Sequence, residues 1–259
     1  MMEEIIRVEN IRKTFRLSRK EQKLEKTKEK VKVAVDGLSF SVKSGEIYGL
    51  LGPNGAGKTT TLRIMSTLIK PDSGDVFIEN NSVVNKADTV RTKICFLTSD
   101  LKLEDFFTPN YLFDFFSNLY GVDEVVREER KQKLFEKFGI DKFAEVQVRD
   151  LSTGMKQKVS LAVSLAHNPD IIIFDEPTNG LDVVTAKKVT DYLLELKREG
   201  KTIIISTHIF SLVEKICDRV GIIVKGKMIV SDSVSNLTKE KSLEDVFFDI
   251  YSEEVGEEE

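Results

Sequence analysis

A glycine-rich stretch constrains this chain more than any other feature of its sequence. Residues 52–59 read GPNGAGKT and fit the phosphate-binding pattern G-x-x-x-x-G-K-[ST] at every fixed position. Glycines let the backbone turn tightly and bring N–H groups close to a phosphate, because no Cβ atom stands in the way. Lys58 supplies a cation for the β- and γ-phosphates, and Thr59 supplies a hydroxyl for Mg²⁺. The stretch therefore predicts a site for a nucleoside triphosphate.

The segments on either side of this stretch support the prediction. Residues 47–51 form an apolar run that predicts a buried strand, and residues 60–68 predict a helix with one apolar face. Such a helix turns its positive N-terminal end toward a bound anion. A chance match in a glycine-rich turn would lack both elements. The predicted nucleotide-binding residues of the stretch are Gly52, Pro53, Asn54, Gly55, Ala56, Gly57, Lys58, Thr59 and Thr60.

Composition narrows the classes of protein to consider. The chain has 259 residues, of which 41% are hydrophobic and 32% charged, so it has enough apolar residues for a sizeable core. Its net charge of −4 argues against nucleic acid as the main partner. No apolar run approaches the roughly 20 residues that cross a bilayer, and the acidic start is unlike a signal peptide. We therefore expect a cytoplasmic chain, with Cys95 and Cys217 as small buried hydrophobes.

The chain changes character along its length. The first third alternates loosely and predicts antiparallel strands, interrupted by the charged segment 16–32. For that segment we expect a solvated loop or mobile hairpin; the alternative is a basic finger near acidic lipid or a partner. After Leu97 the pattern becomes helical, and Thr108 followed by a proline marks a helix start. One apolar face of that helix, predicted to be buried, carries Leu112, Phe115, Phe116 and Leu119.

The last third alternates strands and helices and ends in acidic residues. Residues 171–174 read IIIF, a continuous β-branched and aromatic run typical of a parallel strand buried on both faces. A hairpin is predicted around 225–227 and a helix over 243–248. The tail 252–259 is predicted to be disordered because it is strongly acidic.

A second stretch decides which kind of nucleotide protein this is. The run 171–174 ends in Asp175 and Glu176. Asp175, at the carboxyl end of the strand, is placed to hold the Mg²⁺ shell, and Glu176 is placed to polarise an attacking water. Seen alone, two acids after four apolar residues indicate equally well a strand that leaves the core.

Three neighbouring motifs remove that ambiguity. Residues 151–157 read LSTGMKQ, residues 177–182 read PTNGLD, and residues 206–208 read STH. In this order and spacing, from about residue 5 to residue 230, the chain resembles the nucleotide-binding domain of ABC transporters. The resemblance implies an α/β P-loop NTPase fold with a RecA-like core, an antiparallel β subdomain and an inserted helical subdomain at about 100–165. It implies an ATP-binding domain over 1–235 and a short C-terminal extension over 236–259.

The resemblance also implies roles for single residues. Phe15 matches the aromatic residue that stacks on adenine, and the insertion after it departs from the family pattern. Asp175 matches the magnesium-associated carboxylate, Glu176 the catalytic one, and His208 the residue that bonds the γ-phosphate. Asp182 matches the aspartate of the loop that contacts the other subunit. The signature residues, which contact ATP bound by the other subunit, are Ser152, Thr153 and Gly154. Read without the resemblance, Ser152 is a helix cap and His208 a core histidine.

Two motifs depart from the family. Thr153 and Met155 replace residues of the usual S-G-G-Q signature, and Ser99 stands where the family has a metal-associated glutamine, with Asp100 as a possible substitute. These departures and the ending 243–247 look like the exporter subgroup, in which the ATPase and the membrane chain are separate polypeptides.

The resemblance implies an ATPase that converts ATP and water to ADP and phosphate with Mg²⁺. It would act as a homodimer or heterodimer with a second ATP-binding subunit and power transport through a membrane-spanning permease subunit, at the inner face of the membrane. Two alternatives stay open: an ABC ATPase not coupled to transport, and a GTPase switch. The latter rests on the guanine-reading tetrapeptide NKAD at 85–88 and a D-x-x-G at 218–221, which occur in the wrong order for a GTPase.

Overall fold

The computed structural model describes residues 3–24, 27–98 and 103–256, and its elements form two sheets flanked by helices. The strands are β1 (Glu4–Arg16), β2 (Val31–Lys43), β3 (Ile47–Leu51), β4 (Ser73–Ile78), β5 (Asn81–Ser82), β6 (Ile94–Thr98), β7 (Ile171–Asp175), β8 (Thr202–Thr207), β9 (Arg219–Val224) and β10 (Lys227–Ser233). The α-helices are α1 (Arg19–Leu24), α2 (Lys58–Met65), α3 (Ala87–Arg91), α4 (Pro109–Leu119), α5 (Glu124–Phe138), α6 (Thr153–Ser164), α7 (Val183–Arg198), α8 (Phe210–Ile216), α9 (Val234–Leu237) and α10 (Leu243–Val255).

The larger sheet positions the predicted site. Its strand order is β10-β9-β3-β8-β7-β6, with β9, β3, β8, β7 and β6 parallel and β10 antiparallel to β9. Every residue of β3, β7 and β8 is buried, as the continuous apolar runs predict. Parallel strands bring their carboxyl ends to one edge of the sheet. The segments that follow β3, β7 and β8 therefore meet at the same place.

The smaller sheet is antiparallel, with the order β2-β1-β4-β5. The β1–β2 hairpin extends as far as the pair Arg16 and Val31, and the Leu17 N–H donates to the Lys30 carbonyl at 2.9 Å just beyond it. The prediction for segment 16–32 was wrong in one respect, because the loop contains the short helix α1. Charge content indicates exposure, but it does not distinguish an exposed helix from an exposed loop.

The middle of the chain is helical, yet its buried face differs from the predicted one. Leu112 is buried on α4, whereas Phe115 is 48% exposed and Leu119 67% exposed. The fully buried aromatic residue is Phe113, whose ring lies edge-on to Phe135 of α5 at 5.6 Å between centroids. The heptad-like spacing identified an apolar stripe. The contact with α5 buries a different side of the helix, so part of that stripe stays at the surface.

The C-terminal segment is more ordered than its composition predicts. Helix α10 contains the predicted helix 243–248 and continues to Val255, so the prediction of disorder from residue 252 was wrong there; residues 257–259 lie outside the described chain. Ser242 accepts from the Asp245 N–H at 3.1 Å and caps the helix. The Phe247 ring packs 5.2 Å from that of Phe210, between centroids. This packing holds α10 against α8.

Two further predictions concern the burial of the cysteines and the absence of a helix long enough to cross a membrane among the described residues. Both thiols, Cys95 and Cys217, are buried and unpaired, as predicted. Within residues 3–24, 27–98 and 103–256, every helix is too short or too polar to cross a membrane.

Candidate functional site

The loop between β3 and α2 forms the floor of the candidate site. Gly57 has φ +106° and precedes α2, which begins at Lys58, two positions earlier than predicted. A Cβ atom at Gly57 would lie 2.4 Å from the Ala34 carbonyl oxygen, and one at Gly52 would lie 2.3 Å from the Ile223 carbonyl oxygen. Both positions therefore require glycine for packing within the chain. Their backbones lie this close to β2 and β9, which holds the loop in its turn.

Lys58 lies inside this loop. Its Nζ donates to the carbonyl oxygens of Gly52 at 2.6 Å and Pro53 at 3.2 Å, and it lies 4.0 Å from Glu176 Oε1. Burial lowers the pKa of Lys58, while the charges of Glu176 and Asp175 act in the opposite direction. The ammonium group thus stabilises the loop through its two hydrogen bonds to carbonyl oxygens. It also lies near the two carboxylates, at the edge of the site where an anion bound above the loop would contact it.

Asp175 joins the loop to the neighbouring strands. Its Oδ1 accepts from Thr59 Oγ1 at 3.1 Å and from the Ser206 hydroxyl, and its side chain is buried. The parallel register places Asp175 beside Ser206 and Thr98 beside Asp175. Sequence reasoning missed Ser206, although its place at the end of the next strand could have indicated the contact.

Glu176 adopts an unusual backbone conformation at the end of β7. Its φ is +53°, held by a hydrogen bond from its N–H to the Ser206 carbonyl at 3.1 Å. His208 Nδ1 lies 3.0 Å from Glu176 Oε1. The other oxygen, Oε2, is buried and has no hydrogen-bond partner in the described part of the chain. A buried acceptor without a donor is typical of a position that receives one from a substrate or water.

One depression is lined by half of the predicted site residues. It is lined by residues 54–60, Phe15 and Glu176, together with Ala34 and Lys32. Phe15 is half-exposed at the end of β1, where it pairs with Lys32 of β2. Lys32 was not among the predicted site residues. Its pairing with Phe15 places it at the rim, and a charged segment gave no signal to single it out.

The donor set fits a hard divalent cation shared with a ligand. Thr59 and Asp175 supply two oxygens that already touch each other. Among the residues that the structure describes, no three His, Cys, Asp or Glu side chains cluster as a metal site. Mg²⁺ commonly takes one or two protein ligands and completes its shell with phosphate oxygens and water. The predicted third metal-associated residue, Ser99, lies outside the described residues.

The signature residues and Asp182 lie away from this depression. Ser152 caps α6, with its Oγ accepting from the Met155 N–H at 3.3 Å, and Thr153 and Gly154 form the first turn of that helix. Asp182 caps α7 by accepting from the N–H groups of residues 184 and 185, both at 3.0 Å. The hydrogen bonds from Thr185 hold the pKa of Asp182 below its usual value. Within one chain, the signature segment does not contribute to the depression.

Comparison with known proteins identifies the family. Residues 35–179 match the family model described as ABC transporter, which is more than half of the chain. The chain belongs to the ABC transporter family. The ABC transporter ATP-binding protein NatA of Bacillus subtilis is 36% identical over 220 residues, covering 85% of this chain and 89% of NatA. The Nod factor export ATP-binding protein I of Burkholderia orbicola is 38% identical over 198 residues, covering 76% of this chain and 65% of that protein.

A solved structure agrees with this assignment. The ATP-binding cassette MJ0796, in a dimeric post-hydrolysis state bound to ADP and Pi, superposes with a TM-score of 0.78 at 26% identity, covering 88% of this chain and 98% of that one. This ABC protein therefore has the P-loop ATPase fold that was predicted, with its parallel and antiparallel sheets and helices. The family favours ATP over the GTPase alternative. Residues 85–88 do not line the depression that contains the phosphate loop.

Proposed function

We propose that this chain is an ATP-hydrolysing subunit that works as a pair and powers transport through a separate membrane chain. One observation carries the proposal. The edge of the parallel sheet brings Lys58, Asp175, Glu176 and His208 together, while the signature segment 152–154 does not line the depression around the phosphate loop. Such a site has the groups for phosphate binding and water activation, and it leaves one side for a second subunit.

The chemistry follows from the groups at this edge. The ammonium of Lys58 and the N–H groups of the loop bind the β- and γ-phosphates, and Thr59 with Asp175 would hold Mg²⁺, which neutralises charge on the phosphates. Glu176 accepts a proton from the attacking water as the water oxygen bonds to the γ-phosphorus, while the bond from that phosphorus to the β–γ bridging oxygen breaks and ADP leaves. His208, hydrogen-bonded to Glu176 Oε1, fixes the carboxylate and would bond the γ-phosphate of a bound nucleotide. General-base catalysis of this kind contributes roughly 10²–10⁴-fold to the rate.

Features of the surface support pairing. Nothing in the described chain lies within 4 Å of a Cβ atom added at Gly154, so packing within one chain does not require glycine there. Val183 is 86% exposed and Val184 66% exposed, directly after Asp182. In the proposed pair, segment 152–154 of each chain contacts the nucleotide held by the other. Moving such a pair from mostly open to mostly closed takes roughly 5.5 kcal/mol of differential binding, which charge-assisted contacts to two γ-phosphates would provide.

The membrane chain would dock on the helical middle third. An aromatic surface lies beside the start of α4, where Phe107 stacks on Tyr111 at 4.4 Å between ring centroids and Tyr111 lies 6.2 Å from Phe115. Exposed apolar side chains in such a contiguous set mark interaction surfaces. The relative from Burkholderia orbicola is named for Nod factor export, which supports export as the direction. The proposed location is the inner face of the membrane.

Replacing Glu176 with glutamine tests the proposal. Glu176→Gln keeps the side-chain shape and removes the proton acceptor, so we expect ATP turnover to fall by about 10²–10⁴-fold. The variant should form a dimer with ATP and Mg²⁺ in size-exclusion chromatography coupled to light scattering, and a monomer with ADP. Glu240→Gln changes an exposed carboxylate that lies C-terminal to all of the motifs. It is the matched control and should behave as the parent. Parental turnover in Glu176→Gln would refute the role of Glu176, and an ATP-bound monomer would refute the pair.

A further inference from the structure

One side chain connects the signature helix to the segment that carries the catalytic carboxylate. Gln157 lies on α6, one turn after Gly154, and its Nε2 donates to the Asn179 carbonyl oxygen at 3.2 Å. Asn179 belongs to segment 176–182, which begins with Glu176 and ends with Asp182. The first turn of α6 carries the signature, and the two ends of segment 176–182 carry predicted functional groups. The hydrogen bond therefore joins α6 to the middle of that segment.

The orientation of the Gln157 amide is fixed by this contact. Its partner is a carbonyl oxygen, which only accepts, so the NH₂ group must face it and a flipped amide would set two acceptors against each other. In this orientation Oε1 is buried and has no hydrogen-bond partner among the described residues. The same cavity is lined by Thr153, Gln157, Glu176 and Asn179. Leucine would fill the same space without leaving a buried acceptor unpaired. Packing alone therefore does not explain a glutamine at this position.

Segment 176–182 is built to respond to this contact. The Asn179 N–H donates to the Glu176 carbonyl at 3.1 Å, which closes a tight turn from the catalytic residue to the contact with Gln157. Gly180 follows with φ +72°, and a Cβ atom there would lie 3.5 Å from Gln157 Nε2. A shift of the Asn179 carbonyl is therefore transmitted in one direction to Glu176 and in the other to Asp182.

We propose that Gln157 is a positioning residue that couples a nucleotide bound at the first turn of α6 to the placement of Glu176 in the same chain. The inference rests on the proposed function, in which that nucleotide belongs to the other subunit's phosphate loop. Gln157 lies on the same helix as that first turn, so a nucleotide contact that shifts α6 would move Gln157, and Gln157 would move the Asn179 carbonyl. Each subunit then adjusts its own Glu176 only after its signature segment has engaged the other's ATP. ATP hydrolysis should accordingly be cooperative.

The test compares two variants with a matched control. Gln157→Leu removes the donor and the unpaired acceptor, and Gln157→Glu keeps the size and polarity but replaces the donor that faces Asn179. Gln132→Leu changes an exposed glutamine on α5, bound to Glu136, and serves as the control. The measurements are the ATP dependence of steady-state hydrolysis, giving kcat and a Hill coefficient, and the Kd of a fluorescent ATP analogue for the isolated chain.

For both Gln157 variants we expect the Hill coefficient to fall toward 1 and kcat to fall about fivefold, the equivalent of one neutral hydrogen bond. The Kd of the isolated chain should stay within about twofold of the parent, because Gln157 does not line the depression that holds the phosphate loop. Gln132→Leu should match the parent in all three quantities. If Gln157→Leu fails to fold, Gln157→Glu alone decides the test, since it preserves volume and polarity.

A parental Hill coefficient in both Gln157 variants would overturn the inference and leave the proposed function intact. A change in kcat accompanied by an equal loss of nucleotide affinity would also overturn it, because that result indicates a structural role. A parent that hydrolyses ATP without cooperativity, and whose Glu176→Gln variant stays monomeric with ATP, would overturn the proposed function and the inference with it.

Discussion

A position can require glycine because its φ is positive or because another atom lies close to where a Cβ atom would be. Three glycines in this chain differ in these two properties, and alanine substitutions measure the two effects separately. Gly57 combines φ +106° with a Cβ position 2.4 Å from the Ala34 carbonyl oxygen. Gly55 has φ +82° but no atom of the described chain within 4 Å of its Cβ position. Gly154 has neither a positive φ nor a close neighbour in the described residues. The first combines strain and overlap, the second strain alone, and the third neither.

The structure gives an order of magnitude for each substitution. A left-handed backbone costs an L-residue about 1–2 kcal/mol, which is the expected loss of stability for Gly55→Ala. Gly57→Ala adds an overlap with a backbone carbonyl that only a shift of β2 or of the loop can relieve, at roughly 1–3 kcal/mol more. Gly154→Ala should be neutral or slightly stabilising, by up to about 1 kcal/mol, because alanine narrows the unfolded ensemble.

Thermal unfolding without nucleotide measures these differences. At about 2–4 °C per kcal/mol for a chain of this size, Gly55→Ala should lower Tm by roughly 2–8 °C and Gly57→Ala by about twice as much. Gly154→Ala should melt at or above the parental Tm and still lose ATPase activity, because its glycine faces the other subunit's nucleotide in the proposed pair. Equal melting of Gly55→Ala and Gly57→Ala would refute the argument from close approach. Parental ATPase activity in Gly154→Ala would refute the argument from the second subunit.

Three further outcomes are expected. Lys58→Ala should weaken ATP binding itself in a nucleotide titration, because in the proposed site it removes the cation that binds the phosphates. The hydrogen bond from the Thr14 hydroxyl lowers the pKa of Asp72 from 3.8 to about 2. The ionised carboxylate therefore adds a small amount to the free energy of unfolding above about pH 4, and this contribution is lost as pH falls toward about 2. In Asp72→Asn the free energy of unfolding, measured by acid titration, should lack this loss between about pH 4 and pH 2. Burial raises the pKa of the Cys95 thiol to about 12 and raises that of Cys217 as well, so a thiol reagent at pH 8 should label both only after denaturation.

The elements that the sequence predicted correctly are those whose pattern is local. The strand over 171–175 is a continuous apolar run, and its burial on both faces needs no knowledge of its neighbours. The glycines of the phosphate loop follow a fixed spacing whose backbone requirement is the same in any chain. Ser152 was correctly identified as a helix cap, because capping depends on the next three residues.

The elements that the sequence did not predict depend on partners distant along the chain. Phe115 and Leu119 share a helical stripe with Leu112, and only the position of α5 decides that Phe113 is buried instead. Ser206 contacts Asp175 because β7 and β8 are parallel neighbours in one particular register. The sequence places Ser206 at the end of a strand, but it does not determine which strand lies beside β8 or in which register.

The proposed pairing and the proposed coupling involve the same surface, which carries Gly154, Val183 and Val184. Within the described residues, Gly154 has no packing reason to be glycine, and Val183 and Val184 are exposed beside the Asp182 cap. Apolar side chains that gain nothing in a single chain are stabilising when a second chain covers them. Gln157 connects this surface to Glu176 through Asn179. Coverage of that surface and activation of Glu176 would thus be one event, which is the physical basis for hydrolysing ATP only after two chains have closed.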